Sequence, residues 1–94
     1  MYVKSAQLTF RLPHAASLKD KRAVARGMLD RVRNKFNVSV AEVAYHDAHQ
    51  MLGVGLSLVA ASQGHGQACF DEVVRFMDDY AEGQGAELVE EEMW

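Results

Sequence analysis

Residues 38–61 read VSVAEVAYHDAHQMLGVGLSLVAA, two strand-like runs separated by a short polar segment. The first run is rich in valine, and the second alternates large apolar residues with glycine and serine, a period of two that is typical of β-strands. The polar segment, residues 46–49, is short enough to join antiparallel neighbours, so the stretch predicts a β-hairpin. The latter strand of this hairpin, which is the third strand of the chain, is expected to place its large apolar side chains on one face and its small residues on the other. These sets are Leu52, Val54, Leu56 and Leu58 and, opposite them, Gly53, Gly55 and Ser57.

The segments on the N-terminal side of this hairpin supply a strand and a helix. Residues 2–12 alternate apolar and polar side chains, which predicts a half-buried strand that ends at Pro13. Ser17 lies three residues before Asp20 and is expected to cap a helix that ends near Phe36. Apolar residues recur on one side of this helix at about 100° per residue. They are Leu18, Ala25, Met28, Leu29, Val32 and Phe36. To bury this apolar stripe, the helix has to pack against a sheet.

The segments after the hairpin predict a second helix and a fourth strand. Residues 62–66 resemble a turn, a second amphipathic helix runs from about Gly66 to Glu82, and residues 86–93 form an acidic strand. The order strand, helix, strand, strand, helix, strand predicts an α+β, ferredoxin-like βαββαβ sandwich, in which two helices cover one face of a four-stranded antiparallel sheet. We expect one such domain over residues 1–94, with the second and fourth strands at the edges of the sheet.

The length and composition fit one small soluble domain. The chain has 94 residues, of which 49% are hydrophobic and 24% charged, enough for one core and too little for two. No segment has the roughly 20 apolar residues that span a bilayer, and the first residues lack the pattern of a signal peptide. We therefore expect a cytoplasmic protein without a membrane partner, and the single cysteine, Cys69, agrees with a reducing compartment.

Three segments of the chain resemble one bacterial family. They are Ser17-Leu18-Lys19-Asp20-Lys21-Arg22, Phe36-Asn37-Val38-Ser39-Val40-Ala41-Glu42-Val43, and Asp47 with Gln50 leading into the third strand. On these segments the chain is similar to the YlxP-like proteins, a domain-of-unknown-function family of about this length with a ferredoxin-like fold. The resemblance implies no established activity, and it implies genes that lie among those for translation and ribosome maturation. His49 departs from the family pattern, which favours tryptophan there.

The charges are distributed asymmetrically along the chain. Residues 1–36 hold nine Lys or Arg and two Asp, whereas residues 70–94 hold one Arg and nine acids, although the net charge is only −3. Such asymmetry favours a charged partner. The cations that fall on one flank of the first helix, which we call the basic ridge, are Lys19, Arg22, Arg26 and Arg33.

The basic ridge, together with Lys21, predicts a surface that follows the phosphate backbone of a nucleic acid. The resemblance to the YlxP-like family, with its gene neighbourhood, implies that this partner is RNA or the ribosome and that the protein is a dimeric accessory factor. The competing interpretation is that the ridge is solvated or neutralised. Asp30 lies within about one turn of Arg26 and Arg33, and the acidic second helix is expected to pack alongside. A structure in which the acidic helix binds these cations would remove the RNA interpretation.

The face of the sheet that the helices leave uncovered, here called the open face, is expected to carry small and polar side chains. Its central strands contribute Ser5, Gln7, Thr9, Gly53, Gly55 and Ser57. None of these is an aromatic residue of the kind on which RNA-recognition modules stack bases. Such a surface either meets water or permits close approach of a second subunit, and the valine-rich second strand is an edge guarded only by one acid. The alternative function is therefore a homo-oligomeric protein-interaction or small-ligand-binding module that uses the open face or the edge of the second strand, with a homodimer as the expected state. Its expected interface residues are Val38, Val40, Glu42, Gly53, Gly55 and Ser57.

No constellation of residues predicts catalysis or a resident cofactor. His46, Asp47 and His49 are suitable metal ligands, but neighbouring residues in one turn supply too few of them, and no Cys or Glu cluster completes a shell. The loop at residues 13–17 lacks the glycine and arginine with which small acyl-phosphate hydrolases of this fold class hold phosphate. We therefore expect a protein that is not an enzyme, with no metal, no cofactor and no known small-molecule ligand.

Overall fold

The computed structural model describes residues 1–94 and places six elements in the predicted order. The strands and helices are β1 (Tyr2–Arg11), α1 (Leu18–Lys35), β2 (Ser39–Ala44), β3 (Met51–Ala60), α2 (Gln63–Gly83) and β4 (Glu87–Met93). The four strands form one antiparallel sheet in the order β2-β3-β1-β4, with β2 and β4 at the edges. The prediction of an α+β, ferredoxin-like sandwich is confirmed.

The register of the two central strands separates an apolar face from a face of small residues. Leu8 lies opposite Val54, and Gln7 lies opposite Gly55. Because successive side chains of a strand point to opposite faces, this pairing continues along both strands. The apolar face lies under the helices and forms a core of 19 buried residues with them. The other face is the open face.

The two helices cover different halves of the sheet. α1 lies against β2 and β3, whereas α2 lies against β1, β3 and β4. The hydroxyl of Ser17 accepts a 3.1 Å hydrogen bond from the Asp20 amide, which caps α1 as predicted. The basic helix therefore lies on the β2 side of the molecule and the acidic helix on the β4 side. Neither helix combines the length and the apolar character that a membrane crossing requires.

α2 begins three residues earlier than the sequence pattern indicated. The predicted turn at residues 62–66 is wrong, because Ser62 caps the helix by accepting a hydrogen bond from the His65 amide. Gly64 and Gly66 then lie inside the first turns, where glycine is unfavourable by about 1 kcal/mol each relative to alanine. Gly66 has a packing reason, since the Tyr2 ring occupies the space that a side chain would need.

Candidate functional site

Three cations of the basic ridge are exposed and unpaired. Lys19, Arg22 and Arg26 are all exposed, and none of them belongs to an ion pair. Arg33 is half-exposed and is partly engaged, since it donates a 2.8 Å hydrogen bond to the Val40 carbonyl and lies 3.7 Å from the Asp30 carboxylate. The ridge therefore presents three free charges and a fourth that is tethered to β2.

The ridge lies on the side of α1 that is turned away from the acidic helix. The side of α1 that meets α2 is marked by Gly27, where Tyr80 fills the space of a side chain, and by Arg31, whose guanidinium stacks 4.8 Å from the Tyr80 ring. At about 100° per residue, the ridge is centred roughly 130° around the helix axis from these two positions. The hydrogen bond from Arg33 to β2 agrees with this direction.

Acidic α2 does not neutralise the cations of α1. The ion pairs of the molecule are Arg11–Glu87, Lys21–Glu42 and Arg33–Asp30, and none of them joins the two helices. The cations of α1 that do reach α2 use its aromatic rings instead, as when Lys35 lies 4.9 Å from the centre of the Phe76 ring. The charge separation in the sequence is therefore a charge separation in space.

Lys21 does not belong to the exposed surface, and its predicted role in nucleic-acid binding is corrected. Its side chain is only 1% exposed and passes beneath α1 to the turn that joins β2 and β3, which we call the β2–β3 turn (residues 45–50). The Nζ atom donates 2.7 Å hydrogen bonds to the carbonyls of Tyr45 and Ala48 and lies 3.1 Å from the Glu42 carboxylate. The ammonium group thus has two carbonyl acceptors and one ion-pair partner inside the protein, although the Glu42 Oε2 atom that faces it is buried and has no hydrogen-bond partner.

The β2–β3 turn contains the one non-glycine residue with a positive φ angle. Tyr45 has φ 61° and is 45% exposed, and its carbonyl accepts hydrogen bonds from both Lys21 and the Ala48 amide. A left-handed conformation costs a residue with a β-carbon roughly 1–2 kcal/mol. The bonds from Lys21 therefore hold a conformation that the tyrosine does not favour by itself.

Replacing Tyr45 with asparagine is expected to stabilise the protein by about 0.5–1 kcal/mol, because asparagine tolerates the left-handed region better. Chemical denaturation of the variant measures the change. Tyr45→Phe keeps the conformational cost and serves as the control, with the free energy of unfolding unchanged. An equal gain in both variants would mean that the phenolic hydroxyl, and not the backbone, causes the strain.

The histidines of the β2–β3 turn are exposed and form no metal cluster. His46 and His49 both lie on the surface, and no group of three or more His, Cys, Asp or Glu side chains in the molecule could hold a metal ion. Outside this turn, His65 lies 3.8 Å from the Cys69 sulfur across one turn of α2. The arrangement of the turn histidines is that of solvated polar groups.

The open face has the residues that the sequence pattern assigned to it. Ser5 lies opposite Ser57, with their hydroxyls 3.0 Å apart, and Thr9 lies opposite Gly53. Trp94 extends the same row, since its amide donates a 2.9 Å hydrogen bond to the Ser5 carbonyl. This tryptophan was not among the predicted site residues, because its position on the face depends on the register of β4.

A shallow depression crosses the open face, and we call it the trough. Its volume is about 440 Å³, and it lies between Val43 on the β2 side and Trp94 on the β4 side. The strand residues of the open face that line it are Ser39, Ala41, Gly55, Ser57, Ser5 and Gln7. The floor is thus built of small or polar groups, and the two walls are apolar.

The predicted interface residues do not share one surface. Val40 is 6% exposed and points into the core, and Glu42 turns inward to Lys21, so the expectation that these two side chains line an interface is corrected. An inward-pointing charge and the irregular pairing at Val43 both disfavour addition of a further strand to this edge. Val38 packs partly against the core, so its side chain also belongs to the covered side.

The three remaining interface residues lie on the open face. Ser57 and Gly55 line the trough, whereas Gly53 is covered by the β-carbon of Ala44. The accessible part of the predicted interface is therefore the middle of the sheet and not its β2 edge.

A family model described as "Protein of unknown function (DUF503)" matches residues 3–92. The chain belongs to the DUF503 family. One relative is the uncharacterized protein YlxP of Bacillus subtilis (strain 168). It is 41% identical to this chain over 68 residues, which cover 72% of this chain and 74% of the relative. The resemblance found in the sequence is thereby confirmed. The match places this DUF503 member among proteins of unknown function, and nothing in it indicates an enzymatic activity.

Two solved structures share the fold of the DUF503 chain. A Bacillus subtilis protein, YXEP, described as a dinuclear metal binding peptidase from the M20 family, is similar over 98% of this chain and 25% of its own, with 14% identity and a TM-score of 0.66. A C-terminal segment of the alpha subunit of aIF2 from Pyrococcus abyssi is similar over 94% of this chain and 48% of its own, with 10% identity and a TM-score of 0.58. At these identities the likeness concerns the fold alone.

Proposed function

We propose that this DUF503 protein is a non-enzymatic, cytoplasmic accessory factor that binds the phosphate backbone of RNA through the basic ridge. The observation that carries the proposal is the set of exposed, unpaired cations at Lys19, Arg22 and Arg26, turned away from the acidic helix. Cations in this state attract a polyanion without first breaking internal ion pairs. The resemblance to YlxP-like proteins, whose genes lie near those for ribosome maturation, favours ribosomal RNA as the polyanion.

The arrangement supports recognition of a backbone and not of a base sequence. Lys19, Arg22 and Arg26 are spaced three and four residues apart, so they follow one another along the helix surface. The two central strands of the open face offer no aromatic ring on which a base could stack, since Gln7 lies opposite Gly55 there, and Trp94 lies at the β4 edge of that face. The RNA is therefore expected to lie along α1 beside the β2 edge.

The expected affinity is modest and depends strongly on salt. Each phosphate neutralised contributes about −0.7 to −0.9 to the slope of log affinity against log salt, so three contacts give a slope of about −2 to −3. Between about 50 mM and 200 mM salt, such a slope lowers the affinity roughly 16- to 64-fold. An affinity for RNA that does not change with salt concentration would indicate that a surface other than the basic ridge binds the RNA.

Reversal of charge on the ridge tests the proposal. Changing Arg22 to Glu is expected to weaken binding to ribosomes and to purified ribosomal RNA, and adding Lys19→Glu and Arg26→Glu is expected to abolish it. Co-sedimentation with ribosomes and fluorescence anisotropy with labelled RNA, both at rising salt, measure the effect. The slope against log salt is expected to become shallower by about 1 for each cation lost.

Arg75→Glu is the matched control. Arg75 is exposed on the acidic helix, and its reversal changes the net charge as much as the reversal of Arg22 does. Binding by this variant is expected to stay within about twofold of the wild type, because a remote charge acts only through a screened field. Equal losses at Arg22 and Arg75, or no binding by the wild type at low salt, would contradict the proposal.

A further inference from the structure

The open face carries exposed apolar side chains as well as small ones. Val3 and Val59 lie opposite each other on β1 and β3, with 52% and 66% of their surfaces exposed. Val43 and Trp94, the walls of the trough, are 47% and 77% exposed. Four of the eight exposed large hydrophobic side chains therefore lie on this one face of the sheet. A sheet face of a soluble protein that meets only water usually carries polar residues at such positions.

We propose that the open face binds the open face of a second copy of this chain, forming a symmetric dimer. The two-fold axis lies parallel to the strands, so that the Trp94 indole of each copy enters the trough of its partner beside Ser39. Both the projecting side chain and the depression lie on the same face, which is the condition for an interface in which each copy offers the same surface. The small residues of the floor allow the two sheets to approach closely.

The charges of the open face select this axis over the alternative. Glu90 lies opposite Thr9 and Glu92 opposite Gln7, so both carboxylates belong to the open face along β4. An axis perpendicular to the strands would place β4 on the β4 of the partner and bring these acids together. An axis parallel to the strands places β4 over β2 instead. The side chains that β2 presents on the open face at the trough, Ser39, Ala41 and Val43, are all uncharged.

The positions of the open-face residues along the strands also agree with a two-fold axis parallel to the strands. A parallel axis leaves each residue at its own level along the strands, and Ser39, Ser57, Ser5 and Trp94 share one level. Trp94 therefore meets the small side chain of Ser39 in the partner, and the Val3–Val59 pair meets its own counterpart. Four strands of about eight residues present a face of about 19 by 26 Å, so the dimer buries about 1,000 Å², which is typical of a weak, micromolar complex.

Sedimentation velocity or light scattering over a micromolar concentration range tests the dimer. The wild type is expected to dimerise, and Val59→Glu and Trp94→Glu are each expected to raise the dissociation constant at least about 100-fold, because each buries two unpaired carboxylates. Met93→Glu is the matched control, since Met93 is exposed at the position next to Trp94 but lies opposite Ala6 on the other face of the sheet. A wild-type protein that stays monomeric at high concentration overturns the proposal. The proposal is also overturned if such a monomer binds another protein or a small molecule through the open face.

Engineered cysteines test the axis in a background in which Cys69 is replaced by alanine. Ala41 and Glu92 both share the level of Gln7 and Gly55, on opposite edges of the sheet. The double variant Ala41→Cys with Glu92→Cys is expected to be crosslinked between two copies by a short bis-maleimide reagent, which spans the roughly 10 Å between facing sheets, whereas neither single variant is. A crosslink in Glu92→Cys alone would show that β4 faces β4 and would overturn the proposed axis. The reversed-charge ridge variants are expected to dimerise normally, so this proposal and the RNA proposal can fail separately.

Discussion

Replacing Lys21 with methionine is expected to lower the free energy of unfolding by about 3–5 kcal/mol, which is the usual effect of removing one member of a buried ion pair. Methionine fills much of the same space but donates no hydrogen bond. The carbonyls of Tyr45 and Ala48 lose the bonds from Nζ, and the Glu42 carboxylate loses its partner. Because 23% of the Glu42 side chain is exposed, the carboxylate is not fully desolvated and we expect the lower part of this range, although Oε2, the oxygen that faces Nζ, is itself buried.

Chemical denaturation measures the Lys21 effect, and two further variants interpret it. Lys19→Met, at an exposed position of the same helix, is expected to change the stability by less than about 0.5 kcal/mol. Adding Glu42→Leu to Lys21→Met is expected to recover part of the loss, because the unpaired carboxylate is removed while the unbonded carbonyls remain. If Lys21→Met and Lys19→Met behaved alike, Lys21 would not be the internal link described above.

The fold could be predicted because each element has one covered face and one free face. In β3 the alternation of Leu52, Val54 and Leu56 with small residues specified both the strand and its orientation. In α1 the apolar stripe specified which side meets the sheet, and the four side chains of the basic ridge followed as the flank of that stripe. Periodicity decides such questions because burial on one side is the main source of stability for these elements.

The role of Lys21 could not be predicted from the same pattern. Its position falls between Leu18 and Ala25 in the apolar stripe, so a polar gap on the sheet-facing side was the available signal. Its partners, however, are carbonyls 24 and 27 residues later, in a turn whose backbone includes a left-handed tyrosine. Local sequence preferences do not specify a tertiary contact of this kind, and lysine on a helix is usually exposed.

The trough depends on features that appear only when the sheet is assembled. The predicted pairing of small residues on β1 and β3 supplied its floor, but its walls come from the two edge strands. Val43 leans over Gly55 at an irregular point of the β2 pairing, and Trp94 reaches the face through its bond to Ser5. A strand pattern gives the face of each residue but not the offset between edge strands.

Replacing Phe10 with alanine is expected to lower the free energy of unfolding by about 3–5 kcal/mol through the cavity left in the core. Phe10 is fully buried on a central strand, with Leu52 opposite it on β3 and Leu88 on β4. Denaturation measures the loss, and Phe10→Leu, which leaves a smaller cavity, is expected to lose less. A change below about 1 kcal/mol would mean that this side chain is not in the core, and the assignment of covered and open faces would then be reversed.

The Phe10 variant also serves as a stability control for both proposed surfaces. Its side chain touches neither the basic ridge nor the trough, and a domain of this size typically has about 5–15 kcal/mol of stability, so the variant is expected to remain folded at low temperature. There it should bind RNA and dimerise as the wild type does, despite a loss of stability similar to that of Lys21→Met. If it lost either property while still folded, general destabilisation would explain the effects of the surface variants equally well. Retention of both properties would assign those effects to the ridge and to the open face themselves.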